Sequence, residues 1–180
     1  MGLRVALAAA MWLAWVLRFL PKAFTPRPKA VVRNTDARWG IILVSLGFFV
    51  VFNFRAFEVA EWRMVVSLMI GTLGVVTVWA AIPQLDKQWR IDAGLNADHA
   101  LIRTGPYSIV RHPIYASMLA MLLAMGLMLS SWWGLVVGLA LFIVGTEIRV
   151  RVEDGLLRSR FGGEFDAYAS HVPAYLPFIR

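Results

Sequence analysis

The sequence predicts an all-α integral membrane protein: five transmembrane helices, the last two a helical hairpin, followed by a cytoplasmic, amphipathic C-terminal tail. Three observations predict it. Of the 180 residues 59% are hydrophobic, with a mean hydropathy of +0.67, where soluble domains run nearer half; a soluble chain this short has too little interior to bury so much apolar surface. Uncharged apolar runs long enough to cross a bilayer recur along the chain. The basic residues fall unevenly between alternate connecting segments. The length fits one domain, residues 1–180.

A bilayer core of roughly 30 Å takes about 20 apolar residues of helix. The first span is residues 5–20. It starts like a signal peptide, with Arg4 before the apolar run, but Arg18 and a basic loop follow and no small-residue cleavage site closes it, so it is read as a retained helix. Arg18 sits at its inner end, where its stem lies along apolar surface and its head reaches water. Ala6 stands where an N-myristoylation site needs Ser or Thr. The second span is residues 39–55, uncharged over 39–54, and the third is residues 64–82, with Pro83 expected to end it. Residues 114–146 carry no charge over 33 positions. A single helix of that length would measure about 50 Å, so two helices are expected, 113–130 and 132–149, broken at Ser130-Ser131-Trp132-Trp133-Gly134, where hydroxyls, interfacial aromatics and glycine cluster. Gly134 and Gly138 form a GxxxG that would let these two helices approach closely.

With the N-terminus outside, the inner segments carry Lys22, Arg27, Lys29, Arg33, Arg38, Lys87, Arg90, Arg103, Arg111, Arg149, Arg151, Arg158, Arg160 and Arg180, and the outer ones only Arg4, Arg55 and Arg63. Cytoplasmic loops collect positive charge, so the C-terminus is expected in the cytoplasm, and a prokaryotic inner membrane is the expected location. The net charge of +7 then sets orientation, and no nucleic-acid partner is expected. There is no cysteine, which excludes disulfides, thiolate zinc sites and cysteine nucleophiles. His99, His112 and His171 lack metal-ligand spacing, and no metal is expected. No GxSxG, P-loop or GxGxxG is present; Gly162-Gly163 reads as a turn.

Two polar segments are long enough to hold a site, 84–113 and 147–180. His112 lies 19 residues before Ser131 and Arg149 lies 18 after it. An antiparallel hairpin returns both to one depth on the inner face, with helices about 8–10 Å apart. Arg149 and Glu153 are spaced i,i+4, as are Glu147 and Arg151. From spacing alone these residues make a solvated charged stub with weak ion pairs. A charged helix face opposite a histidine-bearing segment, at the mouth of a membrane hairpin, points instead to a site. His112 by itself is equally a polar end group before Pro113, a residue suited to a first helical turn; His99 is just as ambiguous, and His171 is expected to face solvent.

Gly105-Pro106-Tyr107 followed by Arg111-His112-Pro113-Ile114-Tyr115 resembles the GPYxxxRHPxY motif of isoprenylcysteine carboxyl methyltransferases and their prokaryotic relatives. Arg149-Val150-x-x-Glu153-Asp154-x-x-Leu157 is similar to that family's RIxxEExxL, with Asp154 replacing a second Glu. Phe161-Gly162-x-Glu164-Phe165-x-x-Tyr168 and Val172-Pro173-x-x-Leu176-Pro177-Phe178-Ile179 resemble its FGxxYxxY and VPxxLPFI endings, and His99-Ala100-Leu101-Ile102 its upstream HxLV. The five elements run in order over residues 88–180; the first two spans carry none. The resemblance implies S-adenosyl-L-methionine as cofactor. It implies that His99, Ala100, Leu101, Ile102, Tyr107, His112, Pro113, Ile114, Tyr115 and Glu153 line its site, and that Arg149 holds a substrate carboxylate, the catalytic position. The implied partners are membrane lipids and a lipophilic small-molecule or prenylcysteine-like substrate. Because the wider superfamily includes phospholipid N-methyltransferases and small-thiol methyltransferases, the resemblance fixes the cofactor better than the acceptor. A non-catalytic membrane scaffold and a sterol-type NADPH reductase are the other readings; the VPxxLPFI tail fits the reductase less well.

Overall fold

The computed structural model describes residues 2–21 and 31–176. In chain order the described elements are α1 (Gly2–Leu17), β1 (Val32–Arg33), α2 (Ala37–Asn53), α3 (Glu61–Leu85), a 3-10 turn (Asp86–Gln88), β2 (Gly94–Leu95), a second 3-10 turn (Gly105–Ser108), α4 (Pro113–Leu129), α5 (Trp132–Phe161) and α6 (Gly163–His171). β1 and β2 pair antiparallel, Val32 opposite Leu95 and Arg33 opposite Gly94. Lys22, Arg27, Lys29 and Arg180, counted above for orientation, lie outside the described residues, as do Pro177, Phe178 and Ile179 of the tail motif.

α4 is apolar all round, and a helix of that kind has to be enclosed. Met121, Leu122, Ala124, Met125 and Met128 are fully buried. The helices around it turn apolar stripes outward: Trp39, Ile42, Leu46 and Phe49 on α2, and Trp62, Val65, Met69, Leu73 and Val76 on α3. Outward apolar stripes at helical spacing match lipid and not water as the surrounding medium. Buried hydroxyls and indoles join the helices, with Ser67 Oγ donating to the Ala124 carbonyl at 2.7 Å and Trp15 Nε1 to Ser117 Oγ at 3.3 Å. α3, with 25 residues, is the one described helix both long and apolar enough by itself to cross a membrane; α1, α2 and α4 are shorter apolar helices.

The break before α5 falls at Ser130-Ser131 as expected, and Ser131 caps α5 by accepting a hydrogen bond from the Gly134 amide at 3.2 Å. Three expectations are corrected. The glycines do not join the hairpin partners. A Cβ at Gly138 would lie 2.8 Å from the Gly47 carbonyl oxygen and one at Gly145 2.7 Å from that of Gly40. The close approach is therefore between α5 and α2, while α4 packs mainly on α3. The expected span 132–149 forms the first part of a 30-residue helix, whose charged second half sets Glu153 and Asp154 beside Arg149, His112 and Arg111. Pro83 does not end α3, which runs to Leu85. A proline in the last turn removes one helical hydrogen bond, and the helix stops at Asp86, where φ is +42°. Arg63, expected in an outer loop, is in α3 and buried; its Nη2 donates to the carbonyls of Gly126 (3.1 Å) and Ser130 (2.6 Å), and its guanidinium lies over Trp132. It thereby satisfies the last carbonyls of α4, where a cation also complements the helix dipole.

Candidate functional site

Three segments meet where α4 begins and α5 passes by. Pro113 is the first residue of α4, and Arg111 and His112 lead into it as non-helical backbone. The tail fixes that stretch, since the amides of Arg111 and His112 donate to the carbonyls of Pro173 (2.8 Å) and Ala174 (2.7 Å). α6 holds the tail in place by burying Phe165 and Tyr168, and Tyr168 OH donates to the Tyr107 carbonyl at 2.5 Å. The turn joining α5 to α6 is made at Gly162, φ +52°, which only glycine adopts cheaply. The motifs 105–115 and 161–176 are thus two sides of one scaffold.

Inside it, α4 and α5 face each other through charged side chains. His112 Nε2 is 2.8 Å from Asp154 Oδ1, and its Nδ1 is 3.4 Å from Glu153 Oε2. Arg111 Nη2 donates to Asp154 Oδ2 at 2.8 Å, and another of its nitrogens donates to the Val172 carbonyl. Tyr115 OH links the other pair, donating to Glu153 Oε1 at 2.6 Å and accepting from Arg149 Nε at 2.5 Å. Arg149 Nη2 donates to Glu153 Oε1 at 2.7 Å and to the Ile91 carbonyl at 2.9 Å. The antiparallel hairpin therefore brings Arg111, His112 and Arg149 to one level, as its residue count predicts.

Burial opposes a charge on His112, but its hydrogen bonds to Asp154 and Glu153 outweigh that and push its pKa up to about 9. A histidine with a carboxylate at each nitrogen donates from both and is an imidazolium. Burial also opposes the charges on Glu153 and Asp154. His112 and Arg149 nonetheless hold Glu153 below the ordinary carboxylate range, and His112 and Arg111 do the same for Asp154. Burial lowers His99, which stays neutral near pH 7, and raises Tyr107.

Beside this network lies a cavity of about 470 Å³, lined largely by apolar side chains. His99, Ala100, Leu101, Ile102, Tyr107, His112, Ile114, Tyr115, Arg149 and Glu153 all line it. Pro113 does not; it is packed into the start of α4 and acts by position. Among the described residues, five buried polar atoms of lining residues have no partner: His99 Nδ1, Tyr107 OH, Gln88 Oε1, Arg111 Nε and Arg149 Nη1. Of the Arg149 nitrogens, Nε and Nη2 are already engaged and Nη1 is the one left without a partner. Residues not anticipated from the sequence also line the cavity: Trp15, Val16 and Phe19 after and within α1, Ile41, Val44 and Ser45 of α2, and Gln88 and Trp89. No motif marks them; most form an apolar wall with no chemistry to advertise, and Gln88 adds a polar atom to it. Asp154, read only as a departure from a second Glu, is the hub that ties Arg111 to His112. Among the described residues no three His, Asp or Glu side chains make a metal-sized group.

Over 148 residues the chain is 27% identical to the cobalt-zinc-cadmium resistance protein CzcN of Cupriavidus metallidurans, an alignment covering 82% of this chain and 65% of that protein. It is 32% identical over 117 residues to the nickel-cobalt-cadmium resistance protein NccN of Alcaligenes xylosoxydans, covering 64% and 52%. It is 32% identical over 85 residues to the protein-S-isoprenylcysteine O-methyltransferase of Schizosaccharomyces pombe, covering 47% and 36%. The chain thus spans between about a third and two thirds of the length of these curated relatives. The profile of the phospholipid methyltransferase family matches residues 62–164, a stretch that takes in α3, the cavity-lining loops, α4 and the whole charged network on α5. With more than half of its length matched, the chain belongs to the phospholipid methyltransferase family.

Proposed function

We propose that the protein is a membrane methyltransferase that uses S-adenosyl-L-methionine from the cytosol and methylates the carboxylate of a lipophilic, prenylcysteine-like acceptor at the inner face. The observation that carries this reading is the group of unpartnered buried polar atoms on residues lining one cavity: His99 Nδ1, Tyr107 OH, Gln88 Oε1, Arg111 Nε and Arg149 Nη1. Each such atom costs on the order of 1–3 kcal/mol while unpaired, and small-molecule sites measure roughly 300–1,000 Å³. A nucleoside joined to an amino acid fits both the size and the polar pattern. The cofactor-binding residues are those named above for the donor, with Pro113 fixing the segment and not touching the cavity. Glu153 is the partner of the donor's ammonium: its Oε1 is taken by Tyr115 and Arg149, while Oε2 has only the 3.4 Å contact to His112 and retains acceptor capacity.

When bound, the donor supplies an electrophilic methyl group on a sulfonium sulfur. The chain's own part is alignment and exclusion of water. A carboxylate, with an ordinary pKa near 4, is already ionised and needs no base; Arg149 orients it through Nη1. A protonated amine would first have to lose a proton, and both nearby carboxylates are held ionised by cations, Glu153 by His112 and Arg149 and Asp154 by His112 and Arg111. That favours a carboxylate over a phospholipid amine. The lipophilic part of the acceptor enters beside α1 and α2, whose apolar side chains wall the cavity. The accompanying topology has five spans, α1 to α4 and the first part of α5, with the N-terminus outside.

Calorimetric titration with S-adenosyl-L-methionine and separately with NADPH, followed by methyl transfer to a prenylcysteine analogue, phosphatidylethanolamine and a small thiol, tests the reading. Binding of the first cofactor alone and transfer to the prenylcysteine carboxylate are expected. Transfer only to the amine or the thiol would replace the acceptor, and no binding of the sulfonium donor would end the reading. Arg149→Lys is expected to lose most transfer, because a point charge cannot keep both the Tyr115 and Glu153 contacts and still reach the acceptor, while donor affinity changes much less. Full activity in Arg149→Lys would leave Arg149 as a charge that only sets topology.

A further inference from the structure

We infer that Gly40, on α2 and outside every motif of the C-terminal half, is a positioning residue that fixes where Arg149 holds its guanidinium; the inference rests on the assignment of Arg149 to the acceptor. α2 and α5 touch where Gly40 faces Gly145. A Cβ at position 40 would lie 2.6 Å from the Gly145 carbonyl oxygen, 3.2 Å from Arg149 Cδ and closer still to Arg149 Cγ. The stem of Arg149 runs through the space that a side chain at 40 would fill. Its head cannot swing away freely, because Nε is held by Tyr115 and Nη2 by Glu153 and the Ile91 carbonyl. A stem displaced at Cγ with its far end pinned has to give up or bend at least one of these contacts. Those same contacts set the direction of Nη1, the nitrogen with no partner.

The helix pair contains its own control. Gly47 lies two turns further along α2, and a Cβ there would be 2.7 Å from the Gly138 carbonyl oxygen and 3.2 Å from the Phe142 amide nitrogen. Positions 40 and 47 are thus matched in their conflict with the α5 backbone, and they differ in whether Arg149 is in the way. Gly47 lines no part of the cavity.

A double-mutant cycle on the full-length chain reconstituted in lipid nanodiscs separates the two roles. Thermal unfolding is measured for Gly40→Ala, Arg149→Ala and the pair together, and for Gly47→Ala in the same two backgrounds. The expected result is that Gly40→Ala lowers Tm distinctly less when Arg149 is already Ala, whereas Gly47→Ala lowers it equally in both. Should Gly40→Ala alone fail to fold, folding of the Gly40→Ala/Arg149→Ala pair supports the inference. Failure of both, with Arg149→Ala and Gly47→Ala folded, overturns it, because the Gly145 backbone then accounts for the whole effect. Equal losses at position 40 in both backgrounds also overturn it. Methyl transfer to the prenylcysteine analogue is measured alongside. Gly40→Ala is expected to lose about tenfold or more, since misplacing a catalytic group by about an ångström can cost on the order of a hundredfold, with donor affinity nearly kept, while Gly47→Ala stays within about twofold of wild type. Equal transfer losses in the two variants overturn the inference. Absence of transfer in wild type would overturn the proposed acceptor and leave the stability cycle to decide the role of Gly40.

Discussion

Glu153 faces two groups of partners, and its substitution separates them. Glu153→Gln keeps the shape of the side chain and removes the charge that would meet a donor ammonium. A charge-assisted hydrogen bond is worth about 1.5–3 kcal/mol, so titration with S-adenosyl-L-methionine should show an affinity lower by roughly tenfold to over a hundredfold; unchanged affinity would take Glu153 out of the donor site. The neighbouring His112 makes stability depend on pH. Its pKa in the folded chain, about 9, lies above the ordinary 6.5, so its contribution is complete below about pH 6.5 and fades as pH rises through 9. Glu153 and Asp154 lie below their ordinary values of 4.5 and 3.8, so their contributions are complete above those values and fade at more acid pH. Thermal unfolding across pH should therefore give the highest Tm between about pH 5 and 6.5 and a decline through pH 9. The alkaline decline should be absent in His112→Gln; its persistence there would assign it to another group. At this scale the sequence exposed Arg149, Glu153 and His112 through spacing and resemblance. It did not expose Asp154 as the partner of Arg111, because a residue's partner across a hairpin depends on helix rotation, which spacing leaves open.

At the scale of elements, apolar run length located the helices, and the serines located the hairpin tip. What run length could not do was choose neighbours. Gly134 and Gly138 advertise a close helix contact, yet a GxxxG names only one side of it; the other side is Phe54 for Gly134 and Gly47 of α2 for Gly138, with Gly40 meeting Gly145 further along, all visible only once the helices are assembled. Helix ends followed tertiary partners in the same way. α5 continues for three turns past the expected span because Asp154 and Arg158 find Arg111 and Asp166, so the charged half has reasons to stay helical. The turn at its end was legible, since two consecutive glycines stop a helix. Gly162 has φ +52° and ψ −127°, a conformation other residues reach only at a cost of the order of 1–3 kcal/mol. Gly162→Ala should be destabilised by that amount in denaturant unfolding, with α6 and the Tyr168–Tyr107 bond loosened first; an unaltered midpoint would mean that the turn tolerates a side chain. Gly163→Ala, whose added Cβ meets open space, is the matching control.

At the scale of the whole molecule, the apolar stripes of α2 and α3 face outward and the charged network faces inward, the reverse of a soluble bundle. The charged network, the cavity and the tail gather at one end, and Arg63, Ser130 and Trp132 gather at the other. On the proposed five-span topology the first end would be cytoplasmic and the N-terminus outside. Reporter fusions at the two termini should therefore report opposite sides, with the C-terminus in the cytoplasm; termini on the same side would remove one span, and a reversed pair would invert the orientation argued from the basic residues.

The sequence by itself determined the composition of the outer surface, the number of apolar runs, the hairpin, and the identity of the residues with chemistry in them, because each of these is set by hydropathy, by chain length against helix rise, or by side-chain type. Only the tertiary structure decided which groups are already satisfied and which are left free. Arg149 has three nitrogens in the sequence and one available in the fold; Glu153 has two oxygens and one nearly saturated; Gly40 is one small residue among fourteen glycines until Arg149 passes beneath it. The physical reason is that hydrogen-bond saturation and steric exclusion belong to pairs of atoms brought together from distant parts of the chain, and no single segment of sequence contains both members of the pair.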